Sequence, residues 1–153
     1  GYPGASNKKN TTQRRSTPLE ALTRTQASPP VMGLGLCFED LPVGLRFRTI
    51  GRTVTDADIT NFVCVTGMLE VLFTNLDYLE NESLIKGRLA PGALVYAFAE
   101  GLLLQSTMQH TGLAFLEMNL KVERPVLAGD TIHVDCEVTQ SRPTSKPGRG
   151  IVT

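Results

Sequence analysis

From Ala93 to Gln105 the chain reads as a helix with no polar face. Its strong helix formers carry apolar side chains nearly all the way round: Leu94, Val95, Ala97, Phe98, Leu102, Leu103 and Leu104. Such a helix has to be covered on nearly every side, so it predicts a layer of chain wrapped about it. Pro91 and Gly92 open the segment, and Ala93, Ala97 and Gly101 at i, i+4 and i+8 form a smooth flank for a close backbone neighbour. The longest apolar run, Leu89 to Leu104, is interrupted by Pro91, Gly92, Glu100 and Gly101. It is shorter than the ~20 residues a membrane span needs, and no apolar signal core stands at the N-terminus.

The wrapping material is legible on both sides of the helix. Leu45, Phe47 and Thr49 alternate with Arg46, Arg48 and Ile50 over one strand length, after a turn from Phe38 to Gly44. Thr55 followed by Asp58 is an N-cap with a carboxylate three residues on. Ile59, Phe62, Val63 and Thr66 continue at helical spacing until Gly67 stops the helix. A short helix is predicted around Leu76 to Glu80, with a loop through Asn81-Glu82-Ser83. Phe115, Met118, Leu120 and Val122 predict a strand. Ile132, Val134, Cys136 and Val138, alternating with His133, Asp135 and Glu137, predict a second, half-buried one after the Ala128-Gly129-Asp130 turn. Pro143 to Gly150 reads as a loop before a last strand at Ile151-Val152-Thr153. The sum is an α+β chain of one modest domain.

Charge divides the 153 residues unevenly, although 15 basic groups balance 15 acidic ones. Residues 1–31 carry five basic groups against one acidic, a net of +4, and residues 32–153 carry 10 against 14, a net of −4. The first stretch mixes Pro, Ser, Thr, Asn and Arg without apolar periodicity and reads as a disordered or extension segment. Residues 32–153 form the single domain, which stops just inside its last strand. Overall neutrality removes the electrostatic footprint of nucleic-acid binding. Cys37, Cys64 and Cys136 are odd in number and widely spaced, so they read as free thiols in a reducing, cytoplasmic setting. With only His110 and His133 available, no four-coordinate metal site can be assembled and none is expected. Both histidines read as surface residues.

Four stretches taken in order, GRTVTDADITNFVCVTG, GRLAPGALVYAFAEGLL, TGLAFLEMNLKVERPVLAGDTIHVDCEV and SRPTSKPGRGIVT, resemble the MaoC-like acyl-CoA dehydratase (enoyl-CoA hydratase) family. The resemblance covers roughly residues 38–153. It implies a hot-dog fold, in which an antiparallel sheet wraps a long central helix, an acyl-CoA thioester as substrate with no further cofactor, and self-association into a homodimer or a hetero-oligomer. It further implies an Asp directly after the helix-ending Gly and a His five residues on. These two orient and activate one water, since hydration of an enoyl thioester needs both a base and an acid. Gly67 matches the family Gly, but the Asp position holds Met68 and the His position holds Phe73. No His occurs between Gly67 and Gly92, so a shifted alignment does not restore the pair. Taken as plain side chains, Met68 and Phe73 suit a packed core.

The other half of the family site is an amide at the start of the central helix, aimed at the thioester carbonyl. Here the usual Ala-His-Gly reads Ala90-Pro91-Gly92. First-turn amides lack intrahelical acceptors and sit at the positive end of the helix dipole, so Gly92 and Ala93 are the expected substrate-binding groups. Without the resemblance, Pro91-Gly92 is ordinary helix initiation. Glu70, Asp77 and Glu100 are the weak substitutes for the missing acid and base, with Tyr78 beside Asp77.

Three functions compete: a hydro-lyase with atypical or weak catalysis, a non-catalytic acyl-CoA-binding or partner subunit, and a thioesterase-like hot dog, for which no nucleophile or base motif is evident. Because residues 1–31 carry no apolar face to dock, their deletion is expected to leave the melting temperature unchanged, and limited proteolysis is expected to clip them first. A substantial fall in melting temperature on deletion would contradict the disorder expectation.

Overall fold

The structure, a computed structural model, describes residues 28–153. The disorder expectation therefore falls outside the described residues as far as residue 27; residues 28–32 are exposed and carry no helix or strand. From Gly33 to Thr153 the chain forms one compact unit. After a 3₁₀ turn at Phe38–Asp40, the element order is β1 (Arg46–Arg48), β2 (Arg52–Thr53), α1 (Asp56–Thr66), α2 (Val71–Thr74), α3 (Leu76–Asn81), α4 (Gly92–Leu103), β3 (Thr131–Ile132), β4 (Asp135–Glu137), β5 (Ser141–Pro143) and β6 (Gly150–Val152).

The strands belong to longer ribbons. Antiparallel β1–β4, with Phe47 opposite Cys136, and β2–β3, with Arg52 opposite Ile132, are two stretches of one pairing. Thr49 joins them: its amide donates to the Val134 carbonyl at 3.0 Å, and its buried hydroxyl accepts from the Val134 amide at 3.0 Å. The ladder ends where the Val54 amide meets the Asp130 carbonyl at 2.8 Å. Phe47, Ile132, Val134, Cys136 and Val138 turn inward and His133, Asp135 and Glu137 outward, as the alternation predicts. The β5–β6 hairpin continues from this ribbon, with the Thr139 amide donating to Thr153 O at 2.8 Å.

Helix α1 begins and ends where its caps place it. The Thr55 hydroxyl accepts from the Asp58 amide at 3.1 Å, while Asp58 Oδ2 accepts from the Thr55 amide at 2.9 Å. At the far end Gly67 takes the left-handed conformation, φ 72°, where a side chain would be strained. Ile59 and Val63 face inward and join Val54, Ala90 and Leu94 in the core cluster.

The central helix departs from expectation in two respects. It runs on past Leu103 as a π turn, Leu104–Met108, in which the Ser106 and Thr107 hydroxyls donate back to the Leu102 and Leu103 carbonyls at 2.8 Å. It is also less covered than its composition predicts. Leu94 and Leu102 are buried, but Ala93, Ala97, Gly101 and Leu104 remain exposed. The strand expected over Phe115–Val122 is absent as well. Residues 113–122 run beside the helix, with Phe115 near Tyr96 and Val122 near Gly92, yet form no ladder. Both corrections have one physical reason: alternation makes a strand only where a neighbour takes its backbone hydrogen bonds, and no described residue does so here.

The capping pair at α1 has a pH signature. Hydrogen bonds from Thr55, first its hydroxyl and then its amide, hold the Asp58 carboxyl below its ordinary value of 3.8. A depressed folded-state pKa contributes stability above the ordinary value and loses it as pH falls through the folded one. Thr55→Ala is expected to cost about 1 kcal/mol near neutral pH. In paired thermal melts, the gap between wild type and variant is expected to narrow below pH 3.8.

Candidate active site

Two segments meet over the core cluster. The first leaves Gly67, turns through a Leu69 amide to Gly67 carbonyl bond of 2.8 Å, and enters α2. Glu70 caps that helix, its Oε2 accepting from the Leu72 amide at 2.7 Å. The second is the start of α4, where Pro91 is fully buried. Phe73 on the first segment packs against the core cluster to which Ala90 and Leu94 of the second belong. The cluster therefore brings Phe73, the position the family resemblance gives to the His, beside Ala90 and Leu94 at the helix start. Both family positions hold apolar side chains: Phe73 half-buried on the core and Met68 half-buried at the mouth of the turn.

The helix start itself is open. Leu94 and Val95 donate to the Pro91 carbonyl at 2.9 and 3.2 Å, whereas the Gly92 and Ala93 amides have no acceptor among the described residues. Both residues are exposed. A Cβ on Gly92 would stand an ordinary 3.6 Å from Val122 Cγ2, so packing within the chain does not demand glycine there. A bare backbone at this point serves close approach from outside. Two amides at the positive end of a 12-residue helix can stabilise an oxygen that is gaining negative charge.

The substitute acids are engaged elsewhere. The Glu70 carboxylate is exposed and occupied as a helix cap. Asp77 Oδ1, also exposed, accepts from Asn81 Nδ2 at 2.8 Å along α3, and Tyr78 is half-buried on the same helix. Glu100 is half-buried beside Tyr96, whose phenol is raised above its usual 10.0, first by burial and then by the Glu100 charge. It opens on a groove of about 940 Å³ with Leu104, Met108, Phe115, Arg142 and Ile151, which none of Met68, Phe73, Gly92 and Ala93 lines. His110 is exposed, and so is His133, whose Nε2 lies 3.7 Å from Asp135 Oδ2. Of the sequence-predicted residues, Phe73 shares the core cluster with Ala90 and Leu94 at the helix start, and Glu100 lines a groove that none of Met68, Phe73, Gly92 and Ala93 reaches.

Arg88 is the residue that sequence reasoning overlooks. Its guanidinium reaches Asp56 Oδ1 at 2.6 Å, Thr60 Oγ1 at 3.1 Å and the Phe73 carbonyl. A basic residue in the short Lys86-Gly87-Arg88 stretch has no periodicity to betray it. Its one signal is its position, four residues ahead of Gly92.

The family described as "MaoC like domain" matches residues 41–153. Protein MaoC of Klebsiella aerogenes is 32% identical over 113 residues, which are 73% of this chain and 32% of that protein; the chain spans about a third of its curated relative. Among solved structures, a MaoC-like dehydratase from Rhodospirillum rubrum superposes with a TM-score of 0.67 at 30% identity, covering 78% of this chain and 82% of that one. An R-hydratase from Pseudomonas aeruginosa superposes with a TM-score of 0.64 over 77% and 81% of the two chains, and at 22% identity it shows the shared fold alone. That shared architecture is the α+β hot-dog fold.

Proposed function

Because the chain belongs to the MaoC-like dehydratase domain family, we propose that it binds an acyl-CoA thioester at the start of α4 and hydrates an enoyl thioester weakly or not at all. One observation carries this reading: Met68 and Phe73 stand where the family resemblance puts the acid and base, and neither side chain moves a proton. The Gly92 and Ala93 amides support carbonyl binding, since polarising an oxygen needs only backbone donors. The hydration step needs more. Water must lose a proton as it adds, and the alpha carbon must gain one, and neither Met68 nor Phe73 can relay either proton. Glu70 is the nearest carboxylate in the sequence of this segment, and its Oε2 is held by the Leu72 amide as a helix cap.

A second reading is that of a non-catalytic acyl-CoA-binding or partner subunit in a hetero-oligomer, with acid and base supplied by a different chain. The exposed Ala93–Ala97–Gly101 flank and the unpaired residues 113–122 support association of this kind. Free, widely spaced thiols at Cys37, Cys64 and Cys136 support a reducing, cytoplasmic setting.

The double variant Met68→Asp with Phe73→His tests the first reading. General acid–base catalysis commonly contributes ~10²- to 10⁴-fold, so the double variant is expected to raise hydration of a short enoyl-CoA well above wild type, while each single change does little. Loss of the conjugated-thioester absorbance reports the rate. The new polar groups are expected to cost about 1–3 kcal/mol for each one left unsatisfied, which thermal melts check. Brisk wild-type turnover would overturn the reading; a folded double variant without gain would count against the matching of Met68 and Phe73 to the acid and base positions.

A further inference from the structure

We propose that Arg88 is a positioning residue for the acyl-thioester site, the polar anchor that ties the Leu69–Asn75 segment to α1 and to the backbone leading into Gly92 and Ala93. The proposal rests on the binding reading above.

The argument begins with α2. A helix of 4 residues cannot sustain itself, because nucleation costs more than so few hydrogen bonds return. Its last carbonyls also lack intrahelical donors. Phe73 contributes one of them, and the Arg88 guanidinium takes it, placing positive charge where the helix dipole is negative. The same planar group reaches Asp56 and Thr60, one turn apart on α1. A single side chain thereby ties the end of α2 to the first two turns of α1.

The anchor is itself held. The Arg88 carbonyl accepts from the Ala128 amide at 2.8 Å, Leu89 bridges to Leu127, and the Ala90 amide donates to the Val126 carbonyl at 2.8 Å. Two residues later the helix start presents its open amides. Arg88 is thus the point at which the backbone that sets the Gly92 position and the side chain that sets the Phe73 position coincide. Its side chain is only 18% exposed, against 68% for Asp56. The part-buried leg to the Phe73 carbonyl matters most, and the solvent-facing leg to Asp56 is screened. Lysine offers a point charge in place of a rigid fork, so it cannot hold all three acceptors together.

The test compares wild type, Arg88→Met, Arg88→Lys and Asp56→Asn by amide hydrogen exchange and by titration with a saturated acyl-CoA. In Arg88→Met and Arg88→Lys, exchange is expected to rise in residues 69–75 while the β1–β4 and β2–β3 ladders and the middle of α4 keep wild-type protection. Acyl-CoA affinity is expected to fall about tenfold, the order of one lost charge-assisted hydrogen bond. Asp56→Asn is expected to leave affinity within about twofold, as an exposed pair should. Unchanged exchange in residues 69–75 would overturn the proposal, and so would a uniform rise across all elements, which marks general support of the fold. Should Arg88→Met fail to fold, Arg88→Lys decides on the same criteria. If wild type binds no acyl-CoA, the binding reading fails and with it the site assignment, while segment-specific exchange still decides whether Arg88 positions residues 69–75.

Discussion

The packing of α1 against the start of α4 is the contact on which the rest of this structure depends. Val54, Ile59, Val63, Ala90 and Leu94 form that contact, with Val54 and Ile59 wholly removed from solvent. Each large aliphatic side chain buried there contributes about 1.5–3 kcal/mol, enough in sum to set which surfaces meet. Val54 ends one ribbon of the sheet, Ala90 precedes the central helix, and Ile59 and Val63 lie on the inner face of α1. One small cluster therefore joins sheet, capping helix and central helix, and the candidate site lies on its rim because Phe73 leans on the same five residues.

Polar interactions refine what that core arranges. On the outer face of β1–β4, Arg46 pairs with Glu137 and Arg48 with Asp135 at 2.5 Å, directly across the ladder. These exposed pairs add little stability, but they agree with a register that points Phe47 and Cys136 inward. Arg52 spans two layers, lying 3.7 Å over the Phe98 ring of α4 while pairing with Asp58 at 3.0 Å. Arg88 plays the corresponding part on the other side of α1. In both cases a guanidinium crosses between elements that the hydrophobic core has already brought together.

On the proposed function, the site keeps one of the two chemical halves that the family resemblance implies. The backbone donors at Gly92 and Ala93 follow from the helix beginning where it does, and they survive any substitution that leaves the helix start in place. The acid and base are side-chain properties, and a side chain can be exchanged without altering the fold that carries it. Met68 and Phe73 illustrate this separation: Phe73 contributes to packing at a position where proton transfer is expected from the family resemblance. Family membership and fold are therefore secure here on grounds that leave the catalytic step open to experiment.

Local features were legible in the amino-acid sequence because their causes are local. The Thr55–Asp58 cap, the Gly67 stop, the Pro91-Gly92 opening and the alternation from Ile132 to Val138 each act within a few residues, and each is found where its spacing puts it. The replacement of an acid and a base by Met68 and Phe73 is likewise readable without coordinates. Other properties depend on partners distant in the chain. Phe115 to Val122 has the period of a strand yet forms none, because a strand needs a neighbour's hydrogen bonds and none of the described residues offers them there. The bare flank of Ala93, Ala97 and Gly101 follows from the same missing layer. Arg88 had no local signature, since its three acceptors lie 15 to 32 residues away and meet only when α1, α2 and the turn before α4 have packed. Sequence by itself determined where elements begin, end and change period; tertiary structure alone decided which surfaces are covered and which charges converge, because both are set by residues that only folding brings within reach.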